Sequence, residues 1–374
     1  MKYLVTSDIH LGHLKTPTIH IIQSFKKHIL NEKNTDLDAI FIAGDLFDRL
    51  LDLNSKDVQY IIEFFNYLLT YCTINKIILR VLEGTPSHDW QQSQILIKLN
   101  DIRTEKCDLK YFKALDIEYI PQFNKYVLYI PDEWTNDHDD LERQIREKLN
   151  EHLITQVDIA ILHGNFKYQF AGKPYHGFYY KEEYFLSLVK GFIHVGHHHI
   201  YNPFSRIIPN GSFDRLAHGE ESEKGYIIVD NNNYTFIENT SAYIYKTINI
   251  TSSTTIDKLD KIIAKYPPGS YIRLLLSKDH PFNLIIGELK LRYSDYNIKK
   301  ITKENVVEKN TTTYILSDIE LDFNNKFVLE KNIYNILVDL INEKYTLDAN
   351  ETDKFLNYVS IFREVDNNAP NSLE

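Results

Sequence analysis

The sequence predicts an α/β fold, on three observations. Short apolar runs alternate with helix-period segments from residue 1 to about 235, the pattern of strands separated by crossovers. Five of those runs lead directly into side chains able to bind metal, as happens where strand ends line a ligand crevice. Hydrophobic residues at 43% and charged residues at 25% describe a globular chain, and 374 residues suffice for one large core with one or two smaller modules.

Taken in order, the predicted strands are Lys2–Thr6, Ala39–Ala43, Ile77–Leu82, Val127–Ile130, Val157–Leu162 and Phe192–Val195, each a short run rich in Val, Ile and Leu. Between them Ser55–Tyr71 places Val58, Ile61, Ile62, Phe65, Leu68 and Leu69 on one helical face, and Gln91–Asn100 and Asp140–His152 form further helices. Turn signals at Asn202–Pro203, Pro209–Gly211 and Asn231–Asn233 then cut the chain into hairpin-sized pieces that include a strand at Gly225–Val229. The first unit is expected to close near residue 240.

From Tyr243 a second α+β pattern begins: a strand to Ile250, a helix over Asp257–Lys265, a Pro-Pro-Gly turn, a strand at Tyr271–Leu276 and a helix near Leu284–Leu291. Residues 302–327, rich in Asn, Thr and Lys, have the composition of a connector. Beyond it Leu329, Ile333, Ile336, Leu337, Leu340 and Ile341 recur at helix spacing, followed by Phe355, Leu356, Val359 and Phe362. Two such amphipathic helices either pack on their own domain or dock a partner.

Composition excludes several classes of function. The N-terminus, MKYLVTSDIH, reaches an aspartate at position 8, and no segment has about 18 uninterrupted apolar residues, so a cytoplasmic protein with no membrane span is expected. The two cysteines, Cys72 and Cys107, lie far apart and are expected in the core, not in a disulfide framework or a zinc ribbon. A net charge of −10 argues against binding nucleic acid by overall basicity, so any phosphate contact must be local.

Fourteen of the 15 histidines lie at or before His218. They concentrate where strands end: YLVTSDIH (3–10), AIFIAGD (39–45), IILRVLEGTPSHD (77–89), DIAILHG (158–164) and FIHVGHHH (192–199). In an extended segment alternate side chains share a side, so His197 pairs with His199 while His198 faces away, and Asp8 pairs with His10. Carboxylates with imidazoles and no thiolate suit manganese, iron or zinc. His20, His28, His138, His152 and His280 sit outside these tips and are read as ordinary core or surface histidines.

Asp8-x-His10, Gly44-Asp45, Ser87-His88-Asp89, His163-Gly164 and Gly196-His197-x-His199, in that order, resemble the five motifs of the calcineurin-like metallophosphoesterases. Within that superfamily the chain is most similar to the SbcD-type nuclease subunit and its meiotic-recombination counterpart, in a phage-borne form. The stretch PNGSFDRLAHGEESEKGYIIVD (209–230) is similar to the Gly-Ser, Arg, Gly-Glu, Lys-Gly series that SbcD-type nucleases carry after their last metal motif. The resemblance covers residues 3 to about 230; beyond that only the order of modules matches.

The resemblance implies a four-layer αββα sandwich over 1–240, a small α+β DNA-binding cap over 241–301, the connector 302–327, and a helical arm over 328–374 that grips the coiled-coil base of an SbcC-type ATPase. It implies two divalent cations, Mn2+ above all and Mg2+ less effectively. Asp8, His10, Asp45 and His199 would hold one, and Asp45, shared, would hold the other with His163 and His197. Such a pair polarises phosphate oxygens and makes hydroxide available near neutral pH. His88 falls where the family keeps a catalytic histidine and would donate to the leaving 3′ oxygen. DNA is the implied substrate, cut by 3′-to-5′ exonuclease action on duplex ends and endonuclease action on single strands, by a homodimer.

The family usually reads Gly-Asn-His-Asp or Gly-Asn-His-Glu at the third motif, where this chain has Gly84-Thr85-Pro86-Ser87-His88-Asp89. Ser87 falls at the asparagine position, so either it binds weakly or a water takes that place, with a looser second cation and a high metal requirement as the consequence. Asp48 either contacts substrate or orients the site, unless it merely caps a helix. Asp89 is expected to bond backbone or orient His88, and Arg49, Lys15 and Arg215 to face phosphate or solvent. The loop FKYQFAGKPYHGFYY (166–180) either stacks bases or packs on the core, and His176 has no assigned role. Two rival functions share the five motifs: a phosphoesterase for small phosphodiesters or phosphoproteins, and a catalytically weakened scaffold for the ATPase.

Overall fold

Strands that are apolar on both faces need cover on both sides. In the structure of the chain, a computed structural model that describes residues 1–52, 54–170 and 177–303, two stacked sheets with helices outside them supply that cover. The chain runs β1 (Lys2–Thr6), α1 (Thr18–His28), β2 (Ala39–Ala43), α2 (Lys56–Asn75), β3 (Ile78–Leu82), the single turn α3 (Pro86–Asp89), α4 (Gln94–Asp101) and β4 (Leu109–Phe112). It continues through β5 (Asp116–Ile120), β6 (Lys125–Ile130), α5 (His138–Glu151), β7 (Ile159–His163), α6 (Glu182–Leu188), β8 (Ile193–Gly196) and β9 (Ile207–Pro209). A hairpin, β10 (Gly225–Asp230) and β11 (Asn233–Glu238), then returns to the first sheet.

The first sheet has the order β11-β10-β1-β2-β3-β4, with β1 to β4 parallel and β10 antiparallel to β1. The second has the order β5-β6-β7-β8-β9, parallel from β6 onward. Period-two alternation divides each strand between two cores. Ala39, Phe41 and Ala43 of β2 meet Ile159 and Ile161 of β7 between the sheets, while Ile40 and Ile42 pack with the outer helices α1, α2 and α4. Ala160 and Leu162 of β7 face α5 and α6 instead. Phe112 and Tyr129 stack with centroids 3.7 Å apart and join the sheets across the inner layer. The protein is thus a mixed α/β sandwich.

All seven expected strands and all three expected helices of this part occur, β1 and β2 with the expected ends and the others with ends moved by at most four residues. In α2 the buried stripe is Ile61, Phe64, Phe65, Leu68, Leu69 and Cys72, and the helix stops where Lys76 turns left-handed at φ 57°. Val58 and Ile62, expected on that stripe, are half-buried. Cys72 and Cys107 are buried, as expected. Helix α1 has no counterpart in the sequence reading, because only Ile21, Ile22 and Phe25 mark its face and no side chain caps its start.

Residues beyond 240 build a third sheet from β12 (Tyr245–Asn249), β13 (Tyr271–Ser277) and β14 (Asn297–Lys303), all parallel, covered by α7 (Ile256–Ile263) and α8 (Ile286–Arg292) around a separate apolar cluster. Strand β14 reaches Lys303, so the first two residues of the expected connector belong to a strand. The described residues up to 303 belong to one compact unit. The rest of the connector and the arm at 328–374 lie outside the described residues. No helix among the described residues is long and apolar enough to cross a membrane.

A buried ion pair also bridges the two sheets. Arg80 of β3 donates from Nε and Nη2 to both carboxylate oxygens of Glu118 on β5, each at 2.8 Å, and both side chains are almost fully buried. Burial would raise the Glu118 pKa, but the Arg80 guanidinium and Lys110 outweigh it and hold the carboxyl below its usual range. Glu118→Gln leaves a buried guanidinium without its counter-charge and is expected to cost about 3–5 kcal/mol in denaturant unfolding. A depressed carboxylate pKa stabilises the fold above the pKa of the unfolded chain. That contribution should fade in wild type as pH falls through the folded pKa of Glu118, and be missing at every pH in the variant.

Candidate metal centre

Parallel strands bring their C-terminal ends to one edge, and here the edges of both sheets meet. Asp8 and His10 follow β1, Asp45 follows β2, His88 lies on α3 after β3, His163 ends β7, and His197 and His199 follow β8. His163 Nδ1 donates to the Ala43 carbonyl at 2.8 Å, which ties the tip of β7 to the tip of β2. A Cβ on Gly196 would stand 2.2 Å from that same carbonyl oxygen, so only glycine lets β8 come this close.

Four of these residues have left-handed backbones: Asp8 at φ 51°, His10 at 54°, Asp45 at 49° and His197 at 90°. Such conformations cost about 1–3 kcal/mol each and persist only where the surroundings over-determine them. The supports are explicit. Asp8 N donates to Gly44 O at 3.1 Å, Ile9 N and His10 N share Asp45 O at 2.8 and 3.1 Å, and His197 N donates to Asp8 Oδ1 at 2.9 Å.

Three trios converge, each with donor atoms within 4.8 Å of one another: Asp8, His10 and His199; His10, Asp45 and His88; and Asp45, His163 and His197. Asp45 joins the last two and His10 the first two: Asp45 Oδ1 is 3.3 Å from His163 Nε2 while Oδ2 is 3.8 Å from His10 Nε2 and 2.9 Å from His88 Nδ1. His10 Nε2 and His199 Nε2 lie 3.2 Å apart, and His199 Nε2 is 3.7 Å from Asp8 Oδ1. Burial alone would raise the Asp45 pKa, yet His163, His88 and His10 hold it well below the usual carboxylate range.

Three imidazoles are aimed from behind. His10 Nδ1 donates to Asp48 at 3.2 Å, His199 Nδ1 to Glu220 at 2.8 Å and His163 Nδ1 to the Ala43 carbonyl, leaving each Nε2 toward the cluster. This is the arrangement by which a metal-binding histidine has its tautomer and ring orientation set. The donor set fits divalent cations: it consists of carboxylates and imidazoles, buried except for the half-buried His88, His197 and His199, around one central aspartate. Such a set can hold divalent cations.

Of the expected residues, the structure brings Asp8, His10, Asp45, His88, His163, His197 and His199 together. Ser87 is a correction. It is exposed on α3, and its carbonyl accepts from Trp90 Nε1 at 2.7 Å. Thr85, the residue next to Gly84, turns its hydroxyl into the cluster instead. Pro86 and Ser87 are an outward bulge that carries the chain on to His88. Asp48 accepts from His10 Nδ1, which matches the orienting role among those expected of it. Asp89 accepts from Phe47 N at 2.8 Å and Gly84 N at 2.7 Å, bonding backbone as one of its two expected roles required.

Arg49 donates to the Gly12 carbonyl, and Arg215 to those of Ser222, Ala242 and Tyr243, so both cations brace loops. His198 joins no trio among the described residues, and burial together with His199 and His197 pushes its pKa down to about 4. In the 166–180 loop, Phe166 and Tyr180 are buried in the core, and Tyr180 donates to the His163 carbonyl at 2.9 Å. Lys173 and His176 of that loop lie outside the described residues.

Three residues were missed by sequence reasoning. Glu220 lies within the quoted 209–230 series, but nothing in the series indicates which side chain it meets. Thr85 was passed over because spacing was counted back from His88 instead of forward from Gly84. Asp132 carried a signal: YVLYIPD (126–132) is a sixth apolar strand running into a metal-capable side chain. Glu220→Gln keeps the shape but loses the charge behind His199. It is expected to weaken Mn2+ binding about 10–100-fold, measured by titration calorimetry.

No protein-family model matches the chain, and no curated protein matches it. Solved structures do match, 27 chains in all. One of them spans 64% of this chain and 99% of its own length at 12% identity, with a TM-score of 0.40, too distant a likeness to bear on activity.

Proposed function

We propose that the chain is a metal-dependent phosphodiesterase that cleaves DNA, the nuclease subunit of an SbcCD-like complex, with the four-layer metallophosphoesterase sandwich as its core. One observation carries this reading: Asp45 faces two separate sets of donors with its two oxygens, toward His163 with Oδ1 and toward His10 with Oδ2. A carboxylate so placed is what a pair of cations requires as its bridge. The order of the five sequence motifs adds the substrate class.

Two divalent cations, when bound, supply charge to polarise phosphate oxygens and lower the pKa of water. Asp8, His10, Asp45 and His199 would hold one, and Asp45, His163 and His197 belong to the other. The chain's own part is to hold these donors apart from solvent and to keep each imidazole turned inward. His88 is hydrogen-bonded to Asp45, and its side chain is 37% exposed, so it can meet a substrate while its ring stays fixed. Its role in this reading is to deliver a proton to the leaving 3′ oxygen. The acidic balance of −10 is compatible with DNA binding if the cations and a partner ATPase provide the positive charge. The reading carries over the partner as an SbcC-type ATPase docked on 328–374, and a homodimer.

The test offers the purified full chain linear duplex DNA, single-stranded DNA and a chromogenic phosphodiester, with Mn2+, with Mg2+ and with EDTA. Cleavage of DNA that is strongest with Mn2+ and abolished by EDTA is expected. Activity on the small ester alone would overturn the DNA assignment, and activity unaffected by EDTA would overturn the metal assignment.

A further inference from the structure

The trio of Asp45, His163 and His197 is more crowded with oxygen than the family resemblance provides for. Asp132 follows β6, next to β7 in the second sheet, and its side chain is 13% exposed. Its Oδ2 lies 3.2 Å from His197 Nδ1 and 3.1 Å from Thr85 Oγ1. Thr85 Oγ1 is in turn 3.3 Å from His197 Nδ1, 3.3 Å from Asp45 Oδ2 and 3.5 Å from His163 Nε2. The remaining edge, Asp45 Oδ1 to His163 Nε2, is 3.3 Å.

These spacings have a simple interpretation. Donors about 2.1 Å from one cation stand roughly 3.0 Å apart at octahedral angles and roughly 3.4 Å apart at tetrahedral ones. The five separations that do not involve Asp45 Oδ2, the oxygen turned toward His10, run from 3.1 to 3.5 Å and fall in or close to that range. A carboxylate that merely oriented His197 from behind would be expected on the far side of the ring. Asp132 instead approaches Nδ1, the nitrogen that also faces Thr85.

Charge leads to the same place. In the two-metal reading the position of Asp8, His10 and His199 would have Asp8 as its own carboxylate and share Asp45, whereas without Asp132 the position of Asp45, His163 and His197 would have only the shared one. We infer that Asp132 is a direct ligand of the second divalent cation, with the Thr85 hydroxyl beside it, in place of the amide oxygen that the family pattern puts there. The inference rests on the two-metal reading above and reverses one expectation drawn from Ser87: the second cation is held by an added anionic oxygen and is not loosened.

Titration of the full chain with manganese(II) chloride, followed by calorimetry and by electron paramagnetic resonance of free Mn2+, separates the possibilities. Wild type is expected to bind two ions. Asp132→Asn is expected to bind one with affinity within about twofold of wild type and the other at least about tenfold more weakly, the minimum for losing a group at the metal. Two ions at unchanged affinities in Asp132→Asn would overturn this inference and leave the two-metal reading standing; no binding by folded wild type would overturn both. Should Asp132→Asn not fold, wild-type crystals soaked in manganese decide the matter by anomalous scattering. A peak within about 2.4 Å of an Asp132 oxygen supports the ligand role, and a peak on Asp45, His163 and His197 with Asp132 more than about 3 Å away refutes it.

Discussion

Asp45→Asn is expected to lower DNA cleavage by at least about 10³-fold at saturating Mn2+, because stabilisation of charge by a bound cation is worth several kcal/mol and one residue serves both cation positions. The exchange changes little else. Asparagine tolerates the left-handed backbone at φ 49°. The Asp45 carbonyl still accepts from Ile9 and His10, and an amide oxygen still accepts from Thr85 N, a bond of 2.6 Å. Thermal unfolding in EDTA should therefore stay within a few degrees of wild type, while the upward shift on adding Mn2+ disappears. Cleavage within tenfold of wild type would remove Asp45 from the centre of the site and with it the two-cation reading.

His88→Gln should separate proton delivery from metal binding. The imidazole touches the cluster through one bond to Asp45 and a ring contact with His10 at 5.0 Å between centroids, and it lies on a one-turn helix at the rim. A positioned proton donor contributes about 10²–10⁴-fold, so the turnover number should fall by that factor. The affinities for two Mn2+ ions should remain within a few-fold. If both affinities collapse together with turnover, His88 is a ligand, as its membership of a trio with His10 and Asp45 would also allow. If turnover is unchanged, the leaving oxygen takes its proton elsewhere.

Much of the site was legible as spacing. Period-two alternation separated His198 from His197 and His199, and among the described residues only the latter two join trios, although the segment lies beyond β8 and His197 is left-handed at φ 90° instead of extended. Strands flagged by apolar runs and glycine were found because burial on both faces leaves no polar residue to interrupt them. What failed was counting across a loop. In GTPSHD the chain bulges at Pro86 and Ser87, and no one-dimensional rule says whether a residue there points in or out. Asp132 stayed hidden for a related reason. A lone aspartate after a strand is common in turns, and only the adjacency of β6 and β7 gives it neighbours.

The sequence alone determined the α/β class and the five strand tips, since these follow from local periodicity and from residue chemistry, and its family resemblance singled out seven of the side chains that meet there. Tertiary structure alone decided that Thr85 and not Ser87 enters the cluster, that Glu220 and Asp48 stand behind His199 and His10, and that Asp132 joins His197. The reason is physical. Which donors share a few ångströms depends on how two sheets are stacked and which strands are neighbours, and those contacts join residues as far apart as Asp8 and His199, which no local pattern can register.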